Sequence, residues 1–92
     1  MKILFVEDDE VIALGLVYSL EKEGYAITHC KSRQEAFTAL DHDTYELLLL
    51  DVGLPDGNGY EICAYAKQKQ DVPVIFLTAM DDEVNIVMGL DM

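Results

Sequence analysis

Leu47-Leu48-Leu49-Leu50-Asp51 is a run of four leucines that stops at a carboxylate. Together with Tyr45 and Glu46 it reads as a strand from Tyr45 to Leu50, the most apolar in the chain, with Asp51 at its carboxyl end. Two other apolar runs end in the same way. Ile3 to Val6 stops at Glu7-Asp8-Asp9, and Val74 to Leu77 stops at Thr78. If the three runs are neighbouring parallel strands, the carboxylates and the hydroxyl converge at one edge of a sheet. Carboxylate oxygens gathered in one crevice repel each other, and a hard divalent cation such as Mg²⁺ between them makes the arrangement tolerable. The pattern points to phosphoryl chemistry on Asp51.

Outward from this run the chain alternates between strand and helix signals, with no repeat or low-complexity tract. After the first strand a helix is predicted from about Glu10 to Glu23, closed by Gly24 where a left-handed residue usually stops a helix. Tyr25 to His29 is a second strand. Ser32-Arg33-Gln34-Glu35 has capping-box form and opens a helix running to about Leu40. Pro55-Asp56-Gly57-Asn58-Gly59 is a loop, followed by a helix with Ile62, Cys63 and Ala66 on one face. Asp71-Val72-Pro73 breaks it, and Val74 to Leu77 is the fourth strand. Asp81-Asp82-Glu83 looks like the acidic first turn of a further helix. Continuous apolar strands separated by helices of about three turns imply an α/β fold with a doubly wound parallel sheet, helices on both faces and the ligand site at the carboxyl ends of the strands. Glu7, Asp8, Asp51 and Thr78 fall at those ends.

Composition narrows the functional classes. The 92 residues suffice for one small core and not for two domains. Six basic against 18 acidic residues give a net charge of −12, which argues against direct contact with nucleic acid or an anionic membrane. Cys30 and Cys63 have no metal-binding spacing and read as small buried hydrophobes. Met1-Lys2-Ile3-Leu4-Phe5-Val6 meets acidic residues too soon for a signal peptide or membrane span, so a cytoplasmic protein is expected. His29 and His42 are assigned no role. Asp8, Asp9 and Glu10 also suit helix capping, Asp51 suits an Asx-turn, and a threonine ending a strand is common. The conjunction of these residues is the signal.

Val6-Glu7-Asp8-Asp9, Leu48-Leu49-Leu50-Asp51-Val52-Gly53-Leu54-Pro55-Asp56-Gly57 and Pro73-Val74-Ile75-Phe76-Leu77-Thr78-Ala79, in this order, resemble the receiver (CheY-like) domain of two-component response regulators. The likeness spans residues 1–92. Leu54-Pro55-Asp56-Gly57-Asn58-Gly59 and the stretch from Asp82 to Met92 are most similar to the OmpR-like class, in which a winged-helix DNA-binding domain follows the receiver. The resemblance implies a flavodoxin-like sheet of order 2-1-3-4. It implies that Asp51 accepts a phosphoryl group from a sensor histidine kinase, with Mg²⁺ on Asp8, Asp51 and the main-chain carbonyl of Gly53. Glu7, longer than the usual aspartate, would reach the ion through water. Thr78, with Ala79 beside it, would bind the phosphoryl group and trigger the switch, while Gly53 and Met80 would set the phosphate lifetime. Such a domain is a phosphoacceptor, capable at most of weak self-phosphorylation from small donors and of autodephosphorylation.

The resemblance fails at the end of the chain. A receiver normally continues for about 25 to 30 more residues, with a fifth strand and a fifth helix. The family's catalytic lysine lies in that part, and no lysine follows Thr78 here. The expectation is a C-terminally truncated receiver, by engineering, proteolysis or nature, that contacts DNA only through a domain outside these residues. Its fourth strand would be an open apolar edge. The first helix is apolar nearly all round. With Ile12, Leu16 and Leu20 against the sheet, Val11, Leu14 and Tyr18 would face outward, as a kinase-docking stripe or a route to self-association. A phosphorylation-independent pseudo-receiver or interaction module is the alternative. A haloacid-dehalogenase-like phosphatase wants a second acid where Gly53 stands, and no Gly-x-Gly-x-x-Gly supports a dinucleotide dehydrogenase.

Overall fold

Four short apolar segments pair side by side in parallel to form the centre of the molecule. The computed structural model describes residues 1–80 and 83–88, with side chains for residues 1–77. In chain order the elements are β1 (Lys2–Val6), α1 (Glu10–Lys22), β2 (Ala26–Cys30), α2 (Arg33–His42), β3 (Leu47–Asp51), β4 (Gly53–Leu54), β5 (Gly57–Asn58), α3 (Gly59–Lys69), β6 (Val74–Met80) and β7 (Glu83–Met88). The main sheet has the order β2-β1-β3-β6-β7, and β4 and β5 form a separate two-stranded ribbon. Its parallel part is the expected 2-1-3-4 order, with β6 as fourth strand.

Alternation along the strands sends side chains to two cores. On one face Leu4, Val6, Leu48, Leu50, Val74 and Phe76 pack against Ala36 and Leu40 of α2 and Ile62, Cys63 and Ala66 of α3. On the other, Ile3, Phe5, Leu49 and Leu77 meet α1. Helices on both faces make the fold doubly wound. The sheet-facing side of α1 is Ala13, Leu16, Val17 and Leu20. Ile12, expected inside with Leu16 and Leu20, is exposed, because fully buried Ala13 takes the place nearest the sheet and turns the helix by one residue. Val11, Leu14 and Tyr18 point outward as expected, at 82%, 74% and 67% exposure. Cys30 and Cys63 are buried free thiols.

Local chemistry fixes the helix ends. Asp9 caps α1 by accepting from the N–H groups of Val11 and Ile12 at 2.9 and 3.1 Å. The helix stops at Gly24, whose φ of 96° is left-handed. Ser32 accepts from the Glu35 N–H, but the Glu35 carboxylate takes the N–H of Lys31, so the expected box is closed one residue early. Asn58 and Glu61 form a complete capping box at the start of α3.

The helix expected from Asp81-Asp82-Glu83 onward does not follow β6. Asp81 and Asp82 lie outside the described residues, and Glu83–Met88 is the strand β7, antiparallel to β6 from Met80↔Glu83 to Ile75↔Met88. Val84, Ile86 and Val87 are β-branched, and the outer edge of β6 offers main-chain donors and acceptors that need partners. The segment Val74-Ile75-Phe76-Leu77 is therefore not the open edge that the sequence suggested, since β7 covers it. Among the described residues no helix is long and apolar enough to cross a membrane.

Candidate functional site

The register Val6↔Leu50 places Glu7, just past β1, beside Asp51, the last residue of β3. The pairing of β1 with β2 extends one step further, since the Glu7 N–H donates to the Cys30 carbonyl at 3.0 Å. The three consecutive acids after Val6 then take different roles. Asp9 is used as the cap of α1, and its N–H donates to Glu7 Oε2 at 3.1 Å. Glu7 is turned inward and only 6% exposed, while Asp8 stays exposed. One oxygen from each of Glu7, Asp8 and Asp51 can be chosen so that all lie within 4.8 Å of one another.

Among the described residues no ion pair joins a basic side chain to this cluster. The ion pairs of the described residues join Lys2 to Asp43, Lys31 to Glu10, Arg33 to Glu61, Lys67 to Asp71 and Lys69 to Asp41, all away from it. Burial pushes the Glu7 carboxyl up to about 7, against the opposing effect of the Asp9 N–H and with a further rise from Asp51 and Asp8. Burial also raises Asp51, with the charge of Asp8 adding to it, while hydrogen bonds from Glu7 and the main-chain N–H groups of Gly53 and Val52 act in the other direction. A pocket of three carboxylates without a basic side chain has the donor chemistry of a hard divalent cation and fits Mg²⁺.

The segment after Asp51 is held at several points. Gly53↔Asn58 and Leu54↔Gly57 pair as a small ribbon, and the Gly59 N–H donates to the Val52 carbonyl at 3.0 Å. Gly59 is buried against β3 so closely that a Cβ there would lie 2.3 Å from the Asp51 carbonyl oxygen. At the tip, Asp56 accepts from the N–H groups of Arg33 and Gln34 at 2.7 and 3.0 Å. Those bonds hold its carboxyl below the usual range. Gly53 is exposed, with open space where a side chain would start.

In β6 the register Asp51↔Leu77 puts Thr78 one position beyond the level of Asp51, with Ala79 and Met80 following. The side chains of Thr78, Ala79 and Met80 lie outside the described residues. Two further residues tie the segments around the site without a signal in the sequence. His29 Nε2 is 2.8 Å from the Glu7 carbonyl oxygen, and its ring lies against Phe5. Asp56 bonds to residues 22 and 23 positions upstream, a separation at which no local motif could announce it.

Comparison with known proteins agrees with this geometry. The chain is 40% identical over 92 residues to the transcriptional regulatory protein BasR of Escherichia coli (strain K12), covering 99% of this chain and 41% of the relative. It is 33% identical over 89 residues to the transcriptional regulatory protein AfsQ1 of Streptomyces coelicolor (strain ATCC BAA-471 / A3(2) / M145), covering 97% of this chain and 40% of that one. The chain thus spans about two fifths of the length of these curated relatives. Both are regulators of the OmpR-like kind that the sequence resembles. Among solved structures, the non-phosphorylated HemR receiver domain from Leptospira biflexa superposes with a TM-score of 0.77 at 38% identity, over 86% of this chain and 64% of that one. The response regulator TrrA from Thermotoga maritima, in complex with Mg²⁺-BeF, gives 0.78 at 33% identity, over 87% and 70%. The model of the response regulator receiver domain matches residues 3–92, and the chain belongs to that family, whose members are phosphoacceptors rather than enzymes in the ordinary sense.

Proposed function

We propose that Asp51 is the phosphoacceptor and that Glu7, Asp8, Asp51 and the Gly53 carbonyl hold the Mg²⁺ that receiver domains bind. The observation that carries this reading is the convergence of Glu7, Asp8 and Asp51 within 4.8 Å at the carboxyl ends of two central strands. A carboxylate oxygen of Asp51 attacks the phosphorus of a phosphohistidine on a sensor histidine kinase. The O–P bond forms as the P–N bond breaks, and the electron pair leaves with the imidazole nitrogen. When bound, Mg²⁺ offsets the repulsion between the carboxylates and the incoming phosphoryl oxygens. Asp8 and Asp51 would hold the ion directly and Glu7 would hold it through water. Thr78 hydrogen-bonds a phosphoryl oxygen with Ala79 beside it, and Gly53 and Met80 set how easily water reaches the phosphoryl group. The open surface next to Gly53 leaves room for such water.

Val11, Leu14 and Tyr18 form an exposed apolar stripe on α1 and are the surface offered to the kinase. Transcription is the output in keeping with BasR and AfsQ1, through a further domain, and a cytoplasmic location accompanies that reading.

Intact mass spectrometry of the Mg²⁺-loaded chain before and after a small phosphodonor tests the proposal. One added phosphoryl group is expected on the parent, and none on Asp51→Asn or on the parent in a chelator. No gain on the parent would overturn the acceptor reading and leave an interaction module that works without phosphorylation.

A further inference from the structure

We propose that Asp56 is a positioning residue for the metal site, acting through the ribbon that carries Gly53. The inference rests on the Gly53 carbonyl being a ligand, as proposed above. The ribbon of β4 and β5 has only two residue pairs, Gly53↔Asn58 and Leu54↔Gly57, and a hairpin of that size has no stability of its own. Its place is set by what holds it. The base is secured by the bond from Gly59 to Val52 and by the Asn58–Glu61 capping box. Leu54 packs against the core, and the tip is tied by Asp56 through the two main-chain N–H groups at the first turn of α2.

That anchor is chemically strong for a surface contact. Both oxygens of one carboxylate are engaged, by successive N–H groups at a helix N-terminus, where negative charge is favoured and hydrogen bonds are charge-assisted. Work at the start of α2 is divided. Ser32 accepts from Glu35, while Asp56 takes Arg33 and Gln34, so the helix would keep its own cap if Asp56 let go. Arg33 tightens the same seam. Its Nη1 pairs with Glu61 Oε2 at 2.5 Å, and its Cδ stands 2.7 Å from where a Cβ on Gly57 would be. The first turns of α2 and α3 thus grip the segment between Asp51 and Gly59. Mg²⁺ demands near-octahedral ligand geometry, so a ligand carbonyl on a loosened ribbon binds it less well.

The test is Mg²⁺ titration of the 92-residue chain by calorimetry, with the Gly53 amide resonance followed in parallel. Asp56→Ala is expected to weaken Mg²⁺ by roughly tenfold, the loss typical of outer supports of a metal site, and to shift the Gly53 amide before any metal is added. Asp56→Asn keeps one acceptor oxygen and turns a donor NH₂ toward the other N–H, so it is expected to bind Mg²⁺ with an affinity between those of the parent and Asp56→Ala. Ser32→Ala is expected to destabilise α2 to a similar degree and leave Mg²⁺ binding unchanged. Equal losses in Ser32→Ala and Asp56→Ala would reduce the effect to helix stability and overturn the proposal. So would parent-like binding by Asp56→Ala. A parent that binds no Mg²⁺ would overturn the reading of the site itself and this inference with it, and that outcome is seen on the parent alone.

Discussion

Glu7 is the residue at which the site's chemistry and its cost to the fold meet. Burial raises its carboxyl from an ordinary 4.5 to about 7. Between those values the folded chain keeps a proton that the unfolded chain has released, so stability of the metal-free protein falls as pH rises across that window and stays low above it. Asp51, also raised, acts in the same direction. Glu7→Gln removes the buried charge. In chelator at pH 8 its melting temperature is expected to exceed the parent's by about 5 °C, the difference shrinking towards pH 4.5, while its Mg²⁺ affinity drops. A constant difference across that pH range would mean that Glu7 does not titrate there. The sequence marked Glu7, Asp8 and Asp51 because each ends or follows an apolar run. It did not show which acid of Glu7-Asp8-Asp9 would turn inward, since that depends on Asp9 being taken by the N–H groups of α1.

Elements were legible where their ends are decided locally. Asp9, Gly24 and Ser32 act on neighbours within a turn of chain, and the helices they bound were read to within two residues. The start of α3 was hidden inside a stretch whose proline and glycines spell a loop, because Asn58 caps the helix only once the ribbon brings Gly59 under Val52. Gly59 is the element-scale constraint to test. A Cβ there would lie 2.3 Å from the Asp51 carbonyl, so either β3 or α3 must shift. Gly59→Ala is expected to cost about 1–3 kcal/mol in denaturant unfolding and to reduce phosphoryl uptake by displacing the Asp51 peptide. An alanine variant with parent-like stability would refute the close packing of α3 on β3.

At the scale of the whole molecule, the 2-1-3-4 sheet followed from alternating buried strands and helices, whereas β7 was missed. Asp81-Asp82-Glu83 is a sound local signal for a helix start, and it loses to a non-local one, the unpaired edge of β6. Prolines at Ile86 and Val87 test this, because adjacent residues of a strand point their N–H groups to opposite sides and one of the two must break the ladder. The double variant is expected to sediment as concentration-dependent oligomers where the parent remains monomeric. Identical monomers would mean that β7 does not guard the edge. The register Val6↔Leu50 carries a different consequence. Glu7 follows β1 and Asp51 ends β3, with two helices and another strand between them, so the acidic pocket exists only once β1 and β3 have paired. Ion capture and folding then form a single linked equilibrium. A fold that carries a penalty when empty is stabilised by mass action when filled, by about 2.7 kcal/mol at a hundredfold excess of free Mg²⁺ over Kd. With the proposed site in place, free Mg²⁺ is therefore expected to lengthen the time the chain survives proteolysis, and equal digestion rates in Mg²⁺ and in chelator would count against the linkage.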